Sequence, residues 1–152
     1  MEIYKFDGNA TASVRGMQHV AKLIQDNTSK IVVLSAPKDV TKHLGEVAAN
    51  FFNRNIEEAH DKITRLEFQF IDFANELLTN DTIKHEAIRG ILDCFQAIWK
   101  YSIEPFYATD EKEILAQGEL ISTNMVTNYL QEQGVNAILL PALEFMRTDK
   151  NS

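Results

Sequence analysis

The stretch that decides the fold is Lys30-Ile31-Val32-Val33-Leu34-Ser35. Four consecutive branched apolar residues without polar alternation are typical of a strand buried on both faces, as in a parallel sheet. Upstream, Glu2–Phe6 is a short β-prone run that ends in the turn cluster Asp7-Gly8-Asn9. Between the two runs, apolar residues recur at helical spacing over residues 14–24. Strand, helix and strand in this order predict a βαβ unit, which requires a right-handed crossover.

Downstream of this unit, the apolar periodicity predicts a helical insertion packed beside the sheet. Its three helices are expected at residues 40–52, 56–78 and 82–101. Asn80-Asp81 supplies a break and an N-cap between the last two helices.

A further helix and a third strand are predicted towards the end of the chain. The helix covers residues 110–133, with Asp110 and Glu113 at capping-box spacing and Gly134 as its C-terminal cap. Residues 135–140 then resemble a strand that is halted by Pro141. The predicted fold class is α/β, with a mainly parallel sheet of at least three strands flanked by helices.

Composition and charge narrow the classes of function. Fifteen basic against 22 acidic residues give a formal charge of −7, which argues against a nucleic-acid partner. The first apolar stretch carries Lys5 and Asp7, so it is not a signal-peptide core, and no run approaches membrane-spanning length. We therefore expect a cytoplasmic protein with no membrane partner. The single cysteine, Cys94, lies in an apolar helical context that indicates a buried, inert thiol.

Three short segments are candidates for binding an anionic ligand. The first is the turn after the first strand, residues 5–11, where a cation precedes backbone N–H groups that can hold phosphate. The second is residues 35–41, at the carboxyl end of the second strand, where ligands of open α/β sheets bind. There Ser35 and Thr41 are neutral donors, although Thr41 alone is also explained as a helix cap. The third is residues 117–123, where Gly118 interrupts a helical pattern and Glu119 can pair with an amine.

A metal site is the competing hypothesis. Glu57 and His60 have the Glu-x-x-His spacing of half a di-iron carboxylate site, but that site needs a second copy of the motif and two more glutamates. No second copy exists in the sequence, and the other histidines lack ligand spacing. The prediction is therefore that the protein binds no metal of its own.

Taken in order, the three segments resemble the N-terminal part of an aspartate kinase, in the amino acid kinase superfamily. Lys5-Phe6-Asp7-Gly8-Asn9-Ala10 lies where that family has Lys-Phe-Gly-Gly-Thr-Ser. Val33-Leu34-Ser35-Ala36-Pro37 followed by Thr41 is similar to Val-Leu-Ser-Ala-x-x-x-x-Thr. Gly118-Glu119-Leu120-Ile121-Ser122 matches Gly-Glu-Leu-x-Ser, and Met146-Arg147-Thr148-Asp149 resembles a stretch soon after the family's third strand.

The resemblance implies an incomplete amino acid kinase-like fold, with an acceptor-side lobe at residues 1–147 and a loose tail at 148–152. The family transfers the γ-phosphoryl group of ATP to the side-chain carboxylate of L-aspartate, in the synthesis of lysine, threonine and methionine. By resemblance, Lys5 is the catalytic cation, Gly8 and Ser35 approach the phosphates, and Thr41 and Glu119 hold aspartate.

The departures from the family pattern imply loss of activity. Asp7 stands where a phosphate-facing glycine is expected, and Asp39 replaces a second family glycine. The family's nucleotide half, with its Gly-Arg-Gly-Gly-Ser-Asp-type segment, follows the point where this chain ends. We therefore expect no cofactor on this chain alone, and ATP and Mg²⁺ only if that half is supplied.

Three hypotheses follow for the partners of this chain. As an acceptor lobe, it binds L-aspartate weakly and has no kinase activity by itself. As a non-enzymatic interaction module, it exposes apolar surface and forms a homodimer. As one half of a complementing pair, it associates with a nucleotide-binding half on a separate chain.

Overall fold

The computed structural model describes residues 1–140, which form a mixed α/β structure dominated by helices. Strands β1 (Glu2–Phe6) and β2 (Lys30–Leu34) pair in parallel, with Ile3 opposite Ile31. Helix α1 (Val14–Ile24) connects them and buries Met17, Val20, Ala21 and Ile24. The predicted βαβ unit is therefore confirmed.

Four longer helices follow, and they enclose most of the apolar core. They are α2 (Val40–Phe52), α3 (Ile56–Leu77), α4 (Asp81–Trp99) and α5 (Glu111–Glu132). Each helix packs on the next one in sequence, and α5 returns to contact α2. Because α5 also contacts α1 and β2, it joins the helical layer to the βαβ unit.

Local hydrogen bonds explain where several helices begin. The Ser13 hydroxyl accepts from the Gly16 N–H at 2.9 Å, which fixes the start of α1. The Asn80 side chain accepts from the Ile83 N–H at 3.0 Å, so the predicted N-cap of α4 is confirmed. The Glu132 carboxylate of α5 also accepts from the Asn80 N–H at 2.9 Å, which ties the α3–α4 connection to the end of α5.

Left-handed residues end two of the helices. Gly134 has a φ of 81° and follows α5, as predicted for a C-terminal cap. Arg54 has a φ of 62° just after α2, and the next residue, Asn55, donates its N–H to the Asn50 carbonyl at 2.8 Å. A β-carbon is unfavourable in this region, so Arg54 occupies a position that suits glycine better.

One face of the sheet is uncovered in the described part of the chain. Ile3 is 71% exposed and Val33 is 39% exposed, and alternation along the strands places both on the side opposite Tyr4 and Leu34. The expectation that β2 is buried on both faces is therefore wrong for residues 1–140. Only its inner face packs against the helices.

The predicted third strand is not formed by residues 135–140, which have no regular secondary structure. The reason is local hydrogen bonding back to the preceding helix. The Val135 N–H donates to the Leu130 carbonyl at 2.9 Å, and the Gln131 side-chain amide donates to the Ala137 carbonyl at 2.8 Å. These bonds take backbone groups that a sheet ladder needs, so the sheet has two strands within the described residues.

The predicted Asp110–Glu113 capping box is also wrong. Asp110 is the N-cap of α5 but makes no side-chain cap bond, and its carboxylate instead accepts from the Tyr107 N–H at 2.8 Å. Glu113 is drawn away by tertiary partners, since it accepts from Lys100 Nζ at 2.8 Å and from the Tyr101 hydroxyl at 2.7 Å. Charge-assisted bonds of this kind outcompete a local box.

Some predictions fall outside the described residues. They are the halt at Pro141, the Met146-Arg147-Thr148-Asp149 motif, the end of the 1–147 lobe and the 148–152 tail. Across residues 1–140, none of the helices has the length and apolar character needed to cross a membrane.

Candidate functional site

The three predicted segments meet at one buried residue, Ala36. A methyl group at Gly8 would lie 2.7 Å from the Ala36 carbonyl oxygen, and a methyl group at Gly118 would lie 2.7 Å from the Ala36 β-carbon. Such distances are far below van der Waals contact, so only glycine fits at both positions. We call Gly8, Ala36 and Gly118 the Ala36 junction. It brings the β1–α1 loop, the β2–α2 turn and α5 into direct contact.

Hydrogen bonds hold the two strand-to-helix connections together beside this junction. The Ser35 N–H donates to the Phe6 carbonyl at 3.1 Å, and the Lys38 N–H donates to the Gly8 carbonyl at 2.9 Å. The Thr11 hydroxyl lies 3.1 Å from the Ser35 carbonyl oxygen and is fully buried. The carboxyl ends of both strands therefore form one fixed surface, where ligands of α/β sheets bind.

The predicted site residues lie around this surface with different exposures. Gly8 and Ser35 are half-buried beside each other, because the Thr11 hydroxyl lies within hydrogen-bond distance of both carbonyl oxygens, at 3.5 Å and 3.1 Å. Lys5, Thr41 and Glu119 are exposed. Glu119 directly follows Gly118, so its backbone is next to the junction. Lys5 is two residues after Ile3 on β1, so it lies on the same, uncovered face of the sheet.

Thr41 is not the N-cap of α2, contrary to the interpretation of this residue as a helix cap. Asp39 holds the N-cap position, no side chain makes a cap bond, and Thr41 lies in the first turn. Asp39 has a φ of 70°, a conformation that glycine adopts more readily than aspartate. The aspartate-for-glycine departure noted in the sequence therefore falls on a position with left-handed backbone.

Asp7 is bound within its own loop. Its Oδ1 accepts the Asn9 N–H at 3.0 Å and the Ala10 N–H at 3.2 Å. Sequence reasoning placed this loop at the opening of a helix, but α1 begins only at Val14. The N–H groups that converge in the loop are thus those of Asn9 and Ala10, and both already hold a carboxylate oxygen.

Sequence reasoning missed two residues that organise this surface. Thr11 is buried and bonds the β2 connection, and Ala36 separates the two glycines of the junction. Thr11 lies within residues 5–11 and Ala36 within residues 35–41, two of the three candidate segments. A buried hydroxyl in a turn is not distinguishable by spacing from an exposed one, so the signal for Thr11 was too weak to use.

A charged network stabilises the first turn of α5, away from the junction. Hydrogen bonds from Lys100 and then from Tyr101 lower the pKa of Glu113. The same carboxylate raises the pKa of Lys100. Burial, followed by the hydrogen bond to Glu113, raises the pKa of Tyr101. The network links the 3₁₀ turn after α4 to α5 and has a structural role.

The metal hypothesis and the cysteine prediction can be compared with the local geometry. His60 Nε2 lies 2.7 Å from the Ser102 hydroxyl, and its ring packs edge-on against Trp99 with centroids 5.0 Å apart. No three potential ligands (His, Cys, Asp or Glu) are grouped anywhere within residues 1–140. Cys94 is half-buried, and burial together with the charge of Asp93 raises its pKa to about 11. Its thiol is therefore protonated at neutral pH.

This arrangement is a mixed α/β structure with a two-stranded parallel sheet, and comparisons with known proteins show what it is similar to. Lysine-sensitive aspartokinase 3 of Escherichia coli (strain K12) is 25% identical over 148 residues, which are 97% of this chain and 32% of that protein. No family model matches the sequence.

Two solved structures share the fold. Aspartokinase III of E. coli in complex with aspartate and ADP, in the R-state, superposes with a TM-score of 0.76 and 22% identity over 99% of this chain. The same enzyme with lysine and aspartate, in the T-state, superposes with a TM-score of 0.69 and 21% identity over 90% of this chain. The resemblance to part of an aspartate kinase is therefore confirmed. This chain spans about a third of the length of these relatives.

Proposed function

We propose that this chain is the aspartate-binding lobe of an aspartate kinase-like protein and that it does not transfer phosphate by itself. The observation that supports this most is the Ala36 junction, which packs the glycine before Glu119 against the carboxyl end of β2. The match to aspartokinase III in complex with aspartate and ADP adds support, because that enzyme shares the fold over nearly the whole chain.

The chemistry of the surface suits an amino acid with two carboxylates. The exposed carboxylate of Glu119 can pair with the ligand's ammonium group, and the Thr41 hydroxyl in the first turn of α2 can donate to a carboxylate. The N-terminus of α2 adds the favourable end of a helix dipole for a negative group. Lys5 is the last residue but one of β1 and Ser35 directly follows β2, so both lie near the carboxyl ends of the two parallel strands.

Binding of L-aspartate can be measured by calorimetry and by backbone amide shifts of the whole 152-residue chain. Glu119→Gln and Thr41→Val are expected to weaken binding about tenfold each, since a hydrogen bond to a charged group contributes about 1.5–3 kcal/mol. Glu111→Gln and Thr64→Val change the same residue types at other exposed positions and should bind like wild type. Succinate lacks the amine and should bind weakly to all variants. Equal aspartate affinity for Glu119→Gln and Glu111→Gln would refute the proposed ligand contact.

The proposed absence of catalysis is based on the β1–α1 loop, where a phosphate group would have to bind. Asp7 already occupies the Asn9 and Ala10 N–H groups, so the loop as it stands does not fit a bound phosphate. A coupled ADP-release assay with ATP, Mg²⁺ and aspartate tests this. Turnover well above that of a Lys5→Ala variant would contradict the proposal.

A second candidate function, an interaction module, is favoured by the uncovered face of the sheet. Parallel sheets are normally covered on both faces, yet Ile3 and Val33 are exposed on this side. If this face pairs with another polypeptide, Ile3→Lys should lower self-association in sedimentation experiments. Ile103→Lys is the matched control, because Ile103 is 93% exposed but lies in the α4–α5 connection. A monomer at all concentrations would exclude the homodimer.

A further inference from the structure

We infer that Asp7 is a built-in anion that closes the β1–α1 loop, so that a phosphate-bearing ligand binds there only after this carboxylate is displaced or removed. The inference rests on the proposed function for the choice of ligand. It starts from an observed contact, in which one oxygen of Asp7 accepts two backbone N–H groups at 3.0 and 3.2 Å. Backbone N–H groups that converge in this way form an anion-binding nest. Here the anion belongs to the chain itself.

The nest does not depend on Asp7 for its shape. The Gly8 carbonyl accepts the Lys38 N–H at 2.9 Å, and the buried Thr11 hydroxyl bonds the Ser35 carbonyl at 3.1 Å. The Ala10 N–H also faces the Asp7 carbonyl at 3.1 Å, which is a main-chain bond that any residue at position 7 can make. Replacing the side chain therefore leaves these main-chain and Thr11 bonds in place, and it leaves the exposed Asn9 N–H open to water or to an added anion.

The negative charge of Asp7 and its two hydrogen bonds both oppose the binding of phosphate to this loop. A phosphate oxygen that approached these N–H groups would come within a few ångströms of the carboxylate, and like charges at that separation repel each other. Two effects thus exclude phosphate: the donors are already used, and the ligand's charge is opposed. They can be separated, because asparagine keeps an acceptor oxygen at the same position but carries no charge.

The test uses the full chain and inorganic tripolyphosphate as the probe, followed by the amide signals of Asn9 and Ala10. Asp7→Gly is expected to bind the probe at least about tenfold more tightly than wild type, with both signals shifting. Asp7→Asn should bind more tightly than wild type but less tightly than Asp7→Gly. Asp72→Asn removes one exposed carboxylate from α3 and controls for net charge.

Two results would overturn the inference. One is wild-type protein that binds tripolyphosphate with shifts at Asn9 and Ala10. The other is a folded Asp7→Gly or Asp7→Asn variant that binds no better than Asp72→Asn. An aspartate titration of the same samples separates this inference from the proposed function. If no variant binds aspartate but Asp7→Gly gains tripolyphosphate binding, the lobe assignment fails while the role of Asp7 stands.

Discussion

Replacing Gly118 by alanine tests the Ala36 junction directly. The added methyl would lie 2.7 Å from the Ala36 β-carbon, 3.3 Å from Leu44 Cδ1 and 3.4 Å from Val40 Cγ1. Ala36 cannot withdraw freely, because the adjoining Ser35 N–H is bonded to β1. Overpacking of this kind costs about 1–3 kcal/mol. Alanine regains about 1 kcal/mol over glycine in a helix, so we expect a net loss of about 1 kcal/mol.

Gly45 provides the matched control for this substitution. It lies inside α2, and a methyl there would meet only Leu115 Cδ2 at 4.0 Å, which is ordinary contact. Gly45→Ala should therefore stabilise the protein by about 1 kcal/mol. Urea unfolding curves of the two variants should move in opposite directions, about 2 kcal/mol apart. If Gly118→Ala stabilises the protein as much as Gly45→Ala does, the tight junction is refuted.

Three further predictions concern single positions. Arg54→Gly should be about 1 kcal/mol more stable than Arg54→Ala in urea unfolding, since both remove the same charge and only glycine suits a φ of 62°; equal stabilities would show that this backbone carries no strain. Ser122→Ala should unfold at the same temperature as wild type or slightly higher, because the buried Ser122 hydroxyl has no hydrogen-bond partner within the described residues; a loss above about 1 kcal/mol would contradict this. Because partners lower the pKa of Glu113, its contribution is present above its ordinary value of 4.5 and is lost as the pH falls through its folded value. The melting-temperature difference between wild type and Glu113→Gln should thus be larger at pH 7 than at pH 3, and a constant difference would exclude this linkage.

The sequence was informative where structure is dictated locally. The bounds of α2 were predicted at residues 40–52, and Asn80 was predicted as a cap, because periodicity and capping need only neighbouring residues. The prediction of a third strand was wrong for the opposite reason. A strand is defined by its partner, and the apolar run at residues 135–140 carries no information about whether one is present.

The candidate site was predictable as a set of segments but not as a set of contacts. The motifs indicated that residues 5–11, 35–41 and 117–123 act together, and the Ala36 junction shows that they touch. The charge of Asp7 could be read from the sequence. Its two N–H partners could not, because they depend on the exact path of a seven-residue connection between β1 and α1. The roles of Lys5, Gly8, Ser35, Thr41 and Glu119 remain predictions. The binding experiments address Thr41 and Glu119, and the turnover assay addresses Lys5.

Tight packing around Ala36 couples the movements of the segments that form this surface. Ala36 touches the backbone at Gly8 on one side and at Gly118 on the other, with no space left for a larger side chain. A shift of the helix that carries Glu119 would therefore press on Ala36, and through it on the loop that holds Asp7. A ligand held at Glu119 and a ligand held at the β1–α1 loop would therefore act on one mechanically connected unit.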